Sequence, residues 1–154
     1  MQLQLESPLQ HDVLALIRQL DAYQAALYPA ESNHLMDPAA LEQPHVRFIV
    51  ARDENRVATG CAALVLHEDY GEIKRMFVAP SQRGKGLAQA LLARLEQEAQ
   101  AAGLSALKLE TGISQPEAIG LYQRGGFSLC SPFGAYLPDP LSLFMSKACP
   151  ASKS

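Results

Sequence analysis

The residues best spaced for chemistry lie between Glu72 and Gln89. Ile73 to Val78 is rich in branched and aromatic side chains and predicts a strand, which Pro80 ends. From Leu87 onward, apolar residues recur at 87, 91 and 95 with 88, 92 and 99 beside them, the period of one helix face. Between the two stands Arg83-Gly84-Lys85-Gly86, where the glycines leave the backbone open to a ligand. A helix start carries unpaired N–H groups and a partial positive charge, so a strand, a glycine turn and a helix together make a phosphate cradle. A Walker loop puts its lysine after the second glycine, whereas Lys85 sits between the glycines here. A dinucleotide fingerprint puts Gly or Ala where this chain has Gln89. It also asks for an acidic residue about twenty positions on. Glu110 ends the next predicted strand, so a nicotinamide-nucleotide binder stays open as a weakened alternative.

The elements that must position this loop follow from periodicity. Residues 2 to 6 alternate as a first strand, and apolar positions 13, 16, 17 and 20 predict a helix from Asp12 to near Pro29. Residues 28 to 38 form a polar loop with two prolines, followed by a short helical turn at Pro38 to Leu41. Tyr28, Glu31 and His34 make that loop a candidate substrate wall. Strands at Val46 to Arg52 and Val57 to Leu66 predict an antiparallel hairpin, with the strand at 71–78 after it. A helix from about Gly84 to Ala102 is closed by Gly103, and Ala106 to Thr111 is the next strand. Strand, helix and strand form one crossover unit, so 71–78 and 106–111 are expected to run parallel. A helix from Pro116 to Arg124 stops at Gly125-Gly126. Phe127 to Cys130 and Leu141 to Ser146 are the last strands. The expected organisation is one domain over 1–147 with a loose tail at 148–154.

Composition narrows the function classes. The chain has 154 residues, 48% hydrophobic and 19% charged, enough to bury a core without disulfides or metal. A net charge of −3 argues against a nucleic-acid partner. Within that acidic background Lys74, Arg75, Arg83 and Lys85 fall inside twelve positions, a local patch suited to a small polyanion or else a solvated face. Cys61, Cys130 and Cys149 form no C-x-x-C pair, and the four histidines show no metal-ligand spacing, so no metal is expected. With no charged-then-apolar leader and no run long enough for a bilayer, the reading is a cytoplasmic protein without a membrane partner.

In this strand and helix context, Arg83-x-x-Gly86-x-Ala88, preceded by Met76-Phe77-Val78 and Pro80, resembles the coenzyme A loop of the GCN5-related N-acetyltransferases. Leu121-Tyr122-Gln123-Arg124-Gly125-Gly126-Phe127 is similar to the family's Leu-Tyr-x-x-x-Gly-Phe segment. The segments at 29–34, 131–140 and 144–147 resemble a bacterial branch of N-acetyltransferases typified by the YsnE protein. The resemblance implies an α/β (α+β) fold: a mixed sheet of six to seven strands, helices on both faces, and a splayed parallel pair. It also implies acetyl-CoA as cosubstrate and direct transfer of acetyl to a primary amine in a ternary complex. The acceptor would be a small molecule or a peptide N-terminus or lysine. A non-catalytic coenzyme A sensor of the same fold is the alternative, and pairing into a homodimer stays open.

Carried over residue by residue, the pyrophosphate would lie on the amides of Arg83, Gly84, Lys85, Gly86, Leu87, Ala88 and Gln89. The pantetheine arm would pair with the backbone of Met76, Phe77 and Val78. Gln115 stands where many relatives carry a pantetheine-contacting Asn. Tyr122 would protonate the leaving thiolate, since a phenol with a pKa near 10 can give up its proton there. Glu110 is the first candidate for general base and Glu72 the second, either directly or through water.

Overall fold

The computed structural model describes residues 1–32 and 37–149, without the side chain of Glu31. Seven strands form one sheet: β1 (Gln2–Leu5), β2 (Val46–Arg52), β3 (Ala58–Leu66), β4 (Tyr70–Val78), β5 (Ala106–Gly112), β6 (Ser128–Cys130) and β7 (Ser142–Ala148). They lie in the order β1-β2-β3-β4-β5-β7-β6. Three helices accompany them: α1 (His11–Leu27), α2 (Leu87–Ala101) and α3 (Pro116–Arg124). The β2–β3 hairpin is antiparallel and the β4–β5 pair parallel, as expected. β7 enters between β5 and β6, antiparallel to both.

Strand alternation sorts apolar side chains to two faces. Ile49, Ala51, Ala62, Leu64 and Ile73 pack with Leu91, Leu92 and Leu95 of α2 and with Tyr122 of α3. Phe48, Val50, Cys61, Ala63 and Phe77 pack with Val13, Leu16, Ile17 and Leu20 of α1. Helices therefore cover both faces, and β2 to β4 are buried almost throughout.

Two features shape the middle of the sheet. The β4–β5 register runs from Tyr70 opposite Ala106 to Ile73 opposite Leu109, after which the strands part. The register of β3 with β4 shifts between Cys61, opposite Phe77, and Ala63, opposite Lys74. An extra residue is therefore inserted in β4. Within that bulge Arg75 takes φ 58°.

Of the expected boundaries that move, three are informative. Helix α2 begins at Leu87, three residues later than Gly84, because Gly84 and Gly86 both take left-handed φ and belong to the turn. At its other end Ala102 is the cap and Gly103, with φ 75°, is the residue after it. The Leu104 N–H reaches the Ala99 carbonyl at 3.0 Å, closing the helix end. Ala148 and Cys149, expected in the tail, are held in place, since Ala148 pairs with Ala106 and the Cys149 N–H donates to the Ser105 carbonyl at 2.8 Å. Residues 150–154 lie outside the described residues. Among the described residues no helix is long and apolar enough to cross a membrane.

Candidate active site

The turn from β4 to α2 has the character of an anion cradle. Pro80–Gln82 is a single 3₁₀ turn, and Arg83, Gly84, Lys85 and Gly86 after it are all exposed. Gly86 caps α2 at φ 81° with no side chain bonded to the helix end, and the first turn carries no acidic residue. A Cβ on Gly84 would meet nothing within 4 Å, and one on Gly86 would meet only Gln89 Oε1 at 3.8 Å. Backbone conformation rather than crowding thus calls for glycine here, and the N–H groups stay open to solvent. Arg83 donates to the Val78 carbonyl at 3.3 Å and sits 5.8 Å from the Phe77 ring centroid, which ties the loop to the strand.

Where β4 and β5 diverge they leave a cleft of about 820 Å³. It gathers most of the residues singled out from the sequence: Tyr28, Glu72, Met76, Phe77, Val78, Arg83, Gly84, Ala88, Glu110, Gln115 and Tyr122. Lys85, Gly86, Leu87 and Gln89 are not part of its wall. Leu87 in particular is 4% exposed and packs into the α2 core, so its side chain is turned away from the cleft. His34 and the Glu31 side chain lie outside the described residues.

The expected four-cation patch does not form. Arg75 is buried and pairs with Asp21 of α1, and Lys74 turns toward Glu72. Arg83 and Lys85 remain as the exposed cations at the loop.

Tyr122 is fixed by α3, which starts with Pro116 at its first turn and ends at Gly125. It is buried and meets Phe127 edge-on at 5.7 Å. Burial, and secondly the charge of Glu110, push its phenol above the ordinary value of 10, so it keeps its proton at neutral pH. Tyr28, from the end of α1, lies over Gly112. Its hydroxyl donates to Gln115 Oε1 at 3.1 Å and accepts from the Ser114 N–H at 3.2 Å. Desolvation raises its pKa as well.

Glu72 differs most from expectation for a strand carboxylate: it is buried, 5% exposed, and not solvent-facing. Tyr136 donates to its Oε2 at 2.5 Å, His67 Nε2 lies 3.2 Å from Oε1, and Lys74 Nζ is 3.6 Å from Oε2. Lys74 also donates to the Tyr136 hydroxyl at 2.9 Å. Tyr136 and Lys74 both line the cleft and were not singled out as site residues by the sequence motifs. The available signal was the Pro- and Gly-rich loop 131–140, which carries two aromatic residues. Cys61 is fully buried and burial pushes its thiol up to about 12, so it holds no thiolate at neutral pH.

A cleft at a splayed parallel pair, beside an open glycine turn at a helix start, is suited to an extended ligand carrying phosphates. Similarity to known proteins agrees. Residues 14–127 match the model of the acetyltransferase (GNAT) family. An IAA acetyltransferase from Azospirillum brasilense is 55% identical, with 92% of this chain and 94% of that one covered. The N-acetyltransferase YsnE of Bacillus subtilis, named as uncharacterized, is 36% identical over 88% of this chain and 91% of its own. A crystal structure from Klebsiella pneumoniae, provisionally named an acyl-CoA N-acyltransferase, superposes with a TM-score of 0.82 at 38% identity. It covers 96% of this chain and 97% of its own. The chain belongs to the GNAT family of acetyltransferases and is an N-acetyltransferase.

Proposed function

We propose that the protein moves the acetyl group of acetyl-CoA directly to a primary amine while both are held in the cleft. One observation carries this reading: the same cavity is walled by β4 residues 76–78, by Arg83 and Gly84, and by Glu110, Glu72 and Tyr122. The residues suit the coenzyme. The uncapped start of α2 and the loop amides would take the pyrophosphate, with Arg83 and Lys85 as counter-charges. Beyond Ile73, β4 has parted from β5, and its backbone groups there are available to pair with an extended pantetheine arm. Gln115, held by Tyr28, would contact that arm from the opposite wall. Acetyl-CoA supplies the activated acetyl group as a thioester.

Two protons leave the acceptor nitrogen between ammonium and amide, and one of them ends on the coenzyme thiol. Glu110 takes a proton from the attacking nitrogen, and Tyr122 gives one to the departing sulfur. A phenol with a raised pKa is a weak donor to a thiolate by itself. Glu110, whose charge reaches Tyr122, returns its proton to the phenolate and leaves both groups reset. Tyr28 would wall the acceptor side.

The test is calorimetric titration with acetyl-CoA, with NAD and ATP as controls. It is followed by free-thiol release with phenethylamine, spermidine, lysine and an alanyl peptide. Saturable binding of acetyl-CoA alone, with amine-dependent thiol release, is the expected result. Binding of NAD instead, or no binding, would overturn the reading.

A further inference from the structure

Glu72 stands second to Glu110 as a candidate base, but its surroundings suit a different task. Both its oxygens are engaged and it is almost wholly buried. Its partners lie on opposite sides. Tyr136 lines the cleft, whereas His67 sits in the turn between β3 and β4, off the cleft wall, with its side chain 37% exposed. Rings hold both ends in place. His67 stacks on Tyr70 at 4.5 Å, Tyr70 meets Phe133 at 5.6 Å, and Phe133 meets Tyr136 at 5.2 Å. The result is an unbroken hydrogen-bonded line from the cleft to solvent.

We propose that Tyr136, Glu72 and His67 form the exit for the proton that the acceptor ammonium must lose before it can attack. The inference rests on the N-acetyltransfer reading above. Acetyl transfer from a thioester to an ammonium releases one proton net, and a cleft filled by coenzyme and acceptor leaves little water to take it. The ammonium N–H bond breaks with its electron pair left on nitrogen. Its proton passes to Tyr136 Oη as the Tyr136 proton passes to Glu72 Oε2. The carboxylic acid turns its O–H onto His67 Nε2, and the imidazolium so formed loses its other ring proton to water or a buffer base. Exchange with water restores the tautomer that accepts the next proton. One proton enters at Tyr136 and one leaves at His67, so the trio returns to its starting charge. Lys74, donating to Tyr136, opposes a second cation at that spot and favours the neutral amine. Glu110, on the neighbouring strand, takes the second proton, as proposed above.

The experiment compares His67→Gln with the unmodified protein in steady-state turnover of the most active amine from the panel above. The pH is fixed and the concentration of imidazole buffer is varied. Glutamine can still donate to Glu72 but cannot carry a proton. Turnover of His67→Gln should fall roughly 100-fold in dilute buffer, the lower end of the range for acid–base groups. It should recover as imidazole is added, with KM for both substrates unchanged. Tyr136→Phe, broken on the cleft side where buffer has no access, should lose turnover without recovery. A His67→Gln protein that keeps full turnover in dilute buffer, or loses it without rescue, overturns the relay. Failure of the unmodified protein with every amine would instead sink the function on which the relay rests.

Discussion

Gly112→Ala tests whether the Tyr28 wall is built as the structure has it. Gly112 ends β5 with φ outside the left-handed region, so alanine fits its backbone. The obstacle is steric: a Cβ there would lie 1.7 Å from Tyr28 Oη and 2.0 Å from Tyr28 Cζ. A strand cannot yield by that much, so the ring must leave, and it gives up its bonds to Gln115 and Ser114. Overpacking alone costs about 1–3 kcal/mol. Two net hydrogen bonds of about 1 kcal/mol each, plus part of the ring's burial, set the ceiling near 4 kcal/mol. The expected loss is about 2–4 kcal/mol, a fall in Tm on the order of 10 °C.

The decisive form is a double-mutant cycle by urea unfolding. Tyr28→Ala by itself should cost about 3–5 kcal/mol, as for other buried rings. With the ring gone, the contacts of 1.7 to 2.7 Å that make Gly112→Ala costly are removed, and it should change stability by less than about 0.5 kcal/mol. The coupling would then be at least ~1.5 kcal/mol, with the m-value unchanged. Costs that add would refute the argument, because they would mean that Tyr28 does not lie over Gly112. Since Gln115 loses its Tyr28 partner and keeps only the Gly112 N–H at 3.4 Å, acetyl-CoA affinity should also weaken about fivefold.

Other outcomes follow from the same geometry. Tyr122→Phe should lower kcat by about 10²-fold with the Kd for acetyl-CoA nearly unchanged, and unaltered turnover would remove Tyr122 from the chemistry. Gly86→Ala meets no crowding but must hold φ 81°, at about 1–2 kcal/mol, and should weaken acetyl-CoA binding about tenfold by calorimetry. Gly86→Asn should lose less, because asparagine tolerates that region; a reversed order would contradict the strain argument. Arg52, buried, joins Glu6 and Asp12, so Arg52→Met should cost roughly 2–3 kcal/mol in urea melts, moderated by the exposure of Asp12. Hydrogen bonds from Arg52, more than its charge, hold Glu6 and Asp12 below their ordinary 4.5 and 3.8. Depressed carboxylate pKa values contribute stability above those ordinary values and lose it as pH falls through the folded ones. The native protein should therefore lose Tm below about pH 4.5 more steeply than Arg52→Met, and parallel curves would count against the pairing.

Much of this site could be read from the chain because its logic is local. Gly84 and Gly86 announce a turn that only left-handed backbone can make, and Pro116 with Gly125 bounds the helix that carries Tyr122. The parallel pair followed from a strand, helix, strand order that admits few alternatives. What the sequence hid depends on contacts between distant segments. Tyr136 meets Glu72 across 64 positions, and no local pattern distinguishes that tyrosine from one on a surface loop. Arg75 and Lys74 looked like loop cations because they are near Arg83 in sequence, yet the strand turns them toward α1 and Glu72. The last strand ran on to Ala148 because pairing with Ala106 and burial of Cys149 outweigh the nearby Pro150 as a stop signal.

The bulge in β4 explains why these distant groups meet at all. In an unbroken strand, residues four apart share a face, so Ile73 and Phe77 should lie together. They do not: Ile73 packs in the α2 core and Phe77 in the α1 core. The inserted residue at Arg75 reverses the alternation and adds local twist. Three consequences come from that one residue. Twist carries the end of β4 away from β5, which opens the cleft and ends the pairing of β4 with β5 at Ile73. The change of parity puts Phe77 in the α1 core, on the face that Glu72 and Lys74 already share by simple alternation. The cost is Arg75 at φ 58°, a conformation that a long side chain rarely adopts. Two contacts oppose that strain: the Arg75 guanidinium pairs with Asp21, and its carbonyl accepts from Cys61 Sγ at 3.4 Å. An ion pair and a buried thiol, neither given a chemical role in the proposed transfer, thus hold the backbone in the shape of the cleft.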